Sequence, residues 1–229
     1  MEKKIDKYRD QIMYLWIFNL TLIAGCINAV GLMQFSLPIT YVSGKIAQMA
    51  VNSTLGKWDI FIVYFILIAC FFLGSLFSGI VFSKQKFQLR LRYGLLLIGY
   101  AMIITAASFV FRERNIMAYI LAFIVGSQNG FFLYWKGAIV RTAHMTGYLS
   151  DAGVIYGRAL RGNKLNLWKA FFYTINIMMF FIGGLLGAYI IIHHIEWIYK
   201  VISLLYIAAA LVFFYLRSLH KNESRHFYK

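Results

Sequence analysis

The sequence predicts an all-α integral membrane protein: six transmembrane helices built as two inverted three-helix repeats, each repeat carrying one extra short helix. Three observations predict it. Of 229 residues, 61% are hydrophobic and only 14% charged, with a mean hydropathy of +0.69; soluble domains carry roughly 45–50% apolar and about 25% charged residues. Apolar runs of about 20 residues, enough to cross a hydrocarbon core as a helix, recur six times. A short polar signature stands once in each half of this apolar background.

Taken in order, the runs fall at about 12–34, 59–83, 91–111, 115–135, 168–192 and 197–216. The first is the apolar stretch after a basic N-terminus, and it ends in Gly25-Cys26-Ile27-Asn28. Lys3 to Arg9 followed by Ile23-Ala24-Gly25-Cys26 imitates a lipoprotein signal, but the chain stays apolar through Met33, so the span reads as uncleaved. A short segment, 39–54, opens with Thr40-Tyr41-Val42-Ser43-Gly44, and Pro38 suits its first turn. Two further spans complete the first repeat, 12–111. The second repeat, 115–216, follows the same order. Its first span carries Gly126-Ser127-Gln128-Asn129, and its short segment, 141–157, carries Thr142-Ala143-His144-Met145-Thr146-Gly147. Both short segments are too interrupted by polar residues for a full crossing, so they are re-entrant or interfacial. Residues 1–229 form one membrane domain with no linker.

Three crossings per half is an odd number, so the second half enters the membrane upside down. In the second helix of each half, Ser75-xxx-Gly79 and Gly183-xxx-Gly187 are small residues four apart, which let helix backbones approach closely.

The net charge of +15 is unevenly spread. With a cytoplasmic N-terminus, Lys3, Lys4, Lys7, Arg9, Lys84, Lys86, Arg90, Arg92, Lys136, Arg141, Arg158, Arg161, Lys164, Lys169, Arg217, Lys221, Arg225 and Lys229 lie inside; Lys45, Lys57, Arg112, Arg114 and Lys200 lie outside. This bias predicts that both termini are cytoplasmic. Anionic lipid headgroups, and not nucleic acid, are the expected partners of the inner charges. Cys26 and Cys70 fall inside spans and read as small apolar residues.

Polar groups at membrane depth need partners or a use. The candidate substrate-binding residues are Asn28, Ser43, Gly44, Gln128, Asn129, Arg141, His144, Thr146, Gly147 and Asp151. The repeat sets Tyr41 against His144, Ser43 against Thr146, Gly44 against Gly147 and Gln48 against Asp151. On a helix, His144, Gly147 and Asp151 share one face, with His144 and Asp151 about 10 Å apart. A titratable imidazole is the side chain suited to coupling near neutral pH. Each polar group also has a structural reading: a cap, a packing device or a solvated face. His193, His194 and Glu196 have spacing compatible with metal ligands, yet read as a wet loop. No metal and no cofactor is expected. No phosphate loop, dinucleotide motif, metalloprotease helix or nucleophile elbow is present, and the chain reads as a non-enzyme.

Arg141-Thr142-Ala143-His144-Met145-Thr146-Gly147-Tyr148-Leu149-Ser150-Asp151-Ala152-Gly153 resembles the Arg-Thr-x-His-x-Thr-Gly-x-x-(Ser/Thr)-Asp-x-Gly stretch of the YoaK-like family of uncharacterised bacterial multi-pass membrane proteins. Gly25-x-x-Asn28-Ala29 and Ser43-Gly44 resemble that family's first-half signature, in which the Asn position is often Asp and the residue after Gly is often Asn; here they are Asn28 and Lys45. The resemblance implies a bacterial plasma-membrane protein and supplies no substrate.

The leading expectation is a small bacterial inner-membrane permease. Its solute is unidentified; helix-terminal N–H groups give a weak preference for a small anion or carboxylate. The alternatives are a non-transporting scaffold or regulator and, behind it, an intramembrane enzyme acting on lipid phosphate. A homodimer is the candidate assembly.

Overall fold

In the computed structural model, residues 2–82, 89–111, 114–131 and 133–226 are described. Of the charge assignments above, Lys84, Lys86, Arg112 and Lys229 fall outside them. Among the described residues the order is α1 (Glu2–Phe35), α2 (Val42–Thr54), α3 (Trp58–Val81), α4 (Leu91–Val110), α5 (Arg114–Asn129), a hairpin of β1 (Leu133–Trp135) and β2 (Ala138–Val140), α6 (Met145–Leu160), α7 (Leu167–His194), a 3-10 turn (Ile195–Trp197) and α8 (Ile198–His226).

The protein is helical, and four helical stretches are long and apolar enough to cross a membrane: Tyr8–Phe35, Trp58–Val81, Leu91–Val110 and Leu167–Leu219. Their outward faces are apolar. Ile62, Phe65, Phe72 and Ile80 on α3 each leave more than half of their surface bare. An apolar surface of that extent exceeds what water-soluble monomers expose, and a multi-pass membrane protein hides it in lipid.

Helix directions follow from residue pairs. Tyr14 and Phe18 meet Phe172, Thr21 meets Asn176 and Gly25 meets Phe180, so α1 and α7 run parallel. Trp16 meets Phe213 and Gln34 meets Tyr199, so α8 runs antiparallel to α1. The chain therefore reverses at Ile195–Trp197. Helices α4 and α8 are antiparallel through Tyr93–Phe213, Tyr100–Tyr206 and Thr105–Ser203. Helices α3 and α5 are parallel, with Gly74 against Phe123 and Ser78 against Ser127.

Close approaches come in matched sets. Added to Gly25, a Cβ would stand 2.0 Å from the Phe180 carbonyl oxygen; added to Gly126, 2.1 Å from that of Phe71. At Gly74 it would stand 2.0 Å from the Phe123 oxygen, and at Gly183, 1.9 Å from the Leu22 oxygen. Each pair joins the two halves and has its counterpart with the roles exchanged, at an offset of 101 residues between α1 and α5 and 109 between α3 and α7. Only glycine permits backbone contact at these four points. A Cβ added to Gly187 would also crowd α1, 2.9 Å from the Cys26 oxygen, whereas Gly79 faces open space. In the first half the seam is made by Gly74, Ser75 and Ser78; Ser75 donates to the Gly126 carbonyl at 2.9 Å.

Two features differ from the sequence expectation. The run expected as a span over 115–135 is helical only to Asn129, and its end forms the hairpin. Lys136 and Gly137 take positive φ of 48 and 80 degrees, the backbone of a tight hairpin turn, and aromatic residues before it and β-branched residues after it suit strands. An apolar run alone does not separate the two forms. Pro38 lies before α2, not in its first turn: α1 stops at Ser36, φ 56 degrees, and the Leu37 N–H returns to the Gly31 carbonyl at 2.8 Å. Proline cannot extend the helix past that point.

Candidate functional site

Asn28 and Asn129 occupy equivalent places and do equivalent work. Asn28 Oδ1 accepts the Thr40 N–H at 3.1 Å and the Thr40 hydroxyl at 2.9 Å. Asn129 Oδ1 accepts the Ala143 N–H at 3.0 Å. Each thus pins the residues just before a short helix onto the helix that precedes it. A second pin reinforces each turn. The Lys45 ammonium donates to the Ile39 carbonyl at 2.7 Å, and the Tyr148 hydroxyl accepts the Arg141 N–H at 2.7 Å.

The N-termini of α2 and α6 share a further device. Tyr41 and His144 are the N-cap residues, and neither helix start has a side-chain cap hydrogen bond. The Tyr41 ring lies over Gly44 and the His144 ring over Gly147, where a Cβ would stand 1.9 and 2.2 Å from ring atoms. The glycine of each hydroxyl-Gly pair makes room for a ring. The leading N–H groups of each helix remain available to an acceptor, with the positive end of the helix dipole behind them.

Gln128 is buried and fully engaged. Its Nε2 donates to the Leu20 carbonyl at 3.0 Å and to Thr142 Oγ1 at 2.6 Å, while Oε1 accepts from the Tyr206 hydroxyl at 2.8 Å. It locks α1, α5, α8 and the loop before α6 together. Beside it, Ser127 bonds Tyr100 at 2.5 Å and Ser78 at 2.8 Å. Ser43, Arg141, His144, Thr146 and Asp151 are exposed, and Asn28, Gly44, Asn129 and Gly147 are half-buried. The ten candidate residues therefore form two separate clusters, one around each short helix, with Gln128 as a buried tie between helices.

Lys45 is fully buried within the α2 cluster, and Ile39 is the acceptor it reaches. Burial pulls its ammonium down from 10.5 to about 8. Sequence reading took Lys45 as a polar interruption and an outer basic residue; the repeat that sets Tyr41 against His144 sets Lys45 against Tyr148, and both are buried. Asn176, buried, receives the Thr21 hydroxyl at 2.8 Å, an inter-helix bond. His193 packs on Tyr189 with ring centroids 4.6 Å apart. Among the described residues no three His, Cys, Asp or Glu side chains converge as a metal set.

Residues 16–215 match a family model described as a protein of unknown function, DUF1275. The chain belongs to the DUF1275 family. The match takes in both polar signatures and both short helices, and it agrees with the resemblance to an uncharacterised family. No curated protein matches the chain, and no solved structure does.

Proposed function

We propose that the chain is a small bacterial inner-membrane permease, made of two inverted three-span repeats, that carries a small solute with an anionic group by alternating access. The observation that carries this reading is the pair of uncapped short helices, each starting beside an Asn pin. Tyr148 stacks on Tyr173 at 4.8 Å and Tyr156, further along α6, bonds Thr174 at 3.1 Å, so α6 lies across the second turn of α7. In transporters, short or broken helices aim their N-termini at the solute. The antiparallel α7 and α8 count as two crossings of the Leu167–Leu219 stretch, and α5 completes six. The matched glycine contacts and antiparallel α4–α8 pair suit a two-fold axis in the membrane plane.

In this reading Asn28, Asn129 and Gln128 hold the frame. Solute meets the α2 and α6 N-termini with Ser43, Thr146, His144 and Asp151. Purified protein in liposomes on a capacitive membrane support, challenged with carboxylates and phosphate esters, provides the test. A saturable transient current is expected, reduced at least tenfold by His144→Ala without loss of folded protein. Asn129→Ala is a poor probe, since it orphans the Ala143 N–H at a cost of about 1–3 kcal/mol; Asn129→Asp keeps the acceptor. Absence of current from every solute, with the protein folded, would favour the scaffold reading.

A further inference from the structure

Among the described residues, only the second half carries a hairpin between its Asn pin and its short helix. In the first half α1 runs on to Phe35 and turns directly to Thr40, whereas the second half places β1 and β2 between Asn129 and Ala143. An element present in one half alone is a candidate for what one end of the bundle does and the other does not.

The hairpin tip is tied at two points. The Lys136 ammonium pairs with the Asp10 carboxylate of α1, 6.0 Å from the Tyr14 ring centre and 5.8 Å from that of Trp135. Lys169 of α7 donates to the Gly137 carbonyl at 2.9 Å. Trp135 stands edge-on to Tyr14, and Tyr14 packs on Phe172 at 5.8 Å, so the tip bridges the parallel α1 and α7. Behind the tip Ala138 and Val140 are buried, and the chain leads straight to Thr142, which is buried on Gln128.

These ties are weak, and they are opposed. Lys136 and Asp10 keep 44% and 21% of their side-chain surface exposed, and an ion pair in that setting contributes little and is screened by salt. The Trp135 indole N–H is buried and reaches no acceptor. A donor in that position loses its water contact on docking and gains no bond in return; lifting the hairpin restores it. Docking therefore sets apolar burial and two exposed ties against one orphaned N–H. That is the balance of a segment that opens locally while the rest of the fold holds.

We infer that the β1–β2 hairpin is a strap that closes the α1–α7 end of the bundle over the Gln128–Thr142 tie, held shut by Asp10 and Lys169 and biased toward opening by the Trp135 N–H. Its service as a gate for solute rests on the permease reading; its opening and closing do not.

A thiol under the strap provides the test. With Cys26 and Cys70 replaced, Ala138→Cys stands at a position 1% exposed, and its rate of maleimide labelling in purified full-length protein reads the open fraction. Asp10→Asn and Lys136→Gln are each expected to raise that rate about threefold to fivefold, the size of one partly exposed ion pair. The double variant should add nothing further. Salt at about 1 M should speed labelling of the parent and leave Asp10→Asn unmoved. Trp135→Phe keeps a ring and removes the orphaned N–H, so it should slow labelling at least fivefold, an effect that a packing role alone would not produce. Asp59→Asn, an exposed carboxylate on α3, should change nothing. Where the thiol disturbs the fold, hydrogen exchange over 133–140 in the unmodified chain gives the same reading. Equal rates for Asp10→Asn and its parent, or faster labelling of Trp135→Phe, overturns the inference. Shifted labelling rates without any solute current would leave the strap standing and count only against transport.

Discussion

Replacing Gly183 by alanine tests the seam between the two halves. The added methyl would stand 1.9 Å from the Leu22 carbonyl oxygen and 2.8 Å from its carbon, both backbone atoms. No rotamer relieves such a contact, so α1 and α7 must separate by more than 1 Å or shift along each other. Overpacking of this kind costs about 1–3 kcal/mol or more, against a gain of at most ~1 kcal/mol from the better helix propensity of alanine. At roughly 2–4 °C per kcal/mol for a chain of this size, the midpoint of thermal unfolding should fall by several degrees. Gly74→Ala makes the equivalent contact with the Phe123 oxygen at 2.0 Å and should fall by a similar amount. Gly79→Ala, beside open space, should be unchanged or slightly more stable. The assay is loss of the monodisperse peak by fluorescence-detected gel filtration after a temperature ramp. Equal midpoints for Gly183→Ala and Gly79→Ala would refute the close seam, and a large loss at Gly183 with none at Gly74 would refute its duplication.

The charge bias gives a second prediction. With Cys26 and Cys70 replaced, a membrane-impermeant maleimide added outside whole cells should label Ile195→Cys and not Asn163→Cys, both positions being exposed; the reverse pattern inverts the topology. A third concerns pH and the buried Lys45. Its folded value of about 8 lies below the unfolded 10.5. Between those values the unfolded chain binds a proton that the folded chain does not, so stability rises with pH. Below pH 8 both states are protonated and the folded protein carries the whole burial cost, roughly 3 kcal/mol. The midpoint of Lys45→Met minus that of the wild type should therefore shrink from pH 8 to pH 10; a constant difference would show that the amine is not buried in its charged form.

Much of the fold was legible in residue spacing because lipid imposes a simple rule: long apolar runs become helices, since every backbone group must bond within its own segment. Helices α1, α3, α4, α7 and α8 follow from that rule. The hairpin did not, because Phe131 to Val140 is as apolar as a span and only the Lys136-Gly137 turn distinguishes it. Gly-x-x-Asn repeated in each half marked a pair of equivalent positions, yet a sequence gives no view of what an amide reaches. Asn28 and Asn129 spend their oxygens on the turn before each short helix, a local need that an Asn in mid-run disguises as a ligand.

The pairing of Tyr41 with His144 shows how such a scaffold acquires asymmetry. Both rings lie over a glycine at the start of a short helix, so the backbone device is common to the two halves. One ring is a phenol and the other an imidazole. Lys45 and Tyr148 repeat the pattern, a cation and a hydroxyl closing equivalent turns. The frame stays duplicated because the glycine contacts leave no room for a side chain and each Asn position needs a side-chain oxygen as acceptor. Chemistry differs between the halves only where the side chain has room, at the ring over the glycine and at the second pin. Gly147→Ala separates the two levels: its methyl would meet the movable tip of His144 and not backbone, so it should displace the ring while leaving the fold intact, and any transport defect it causes belongs to His144.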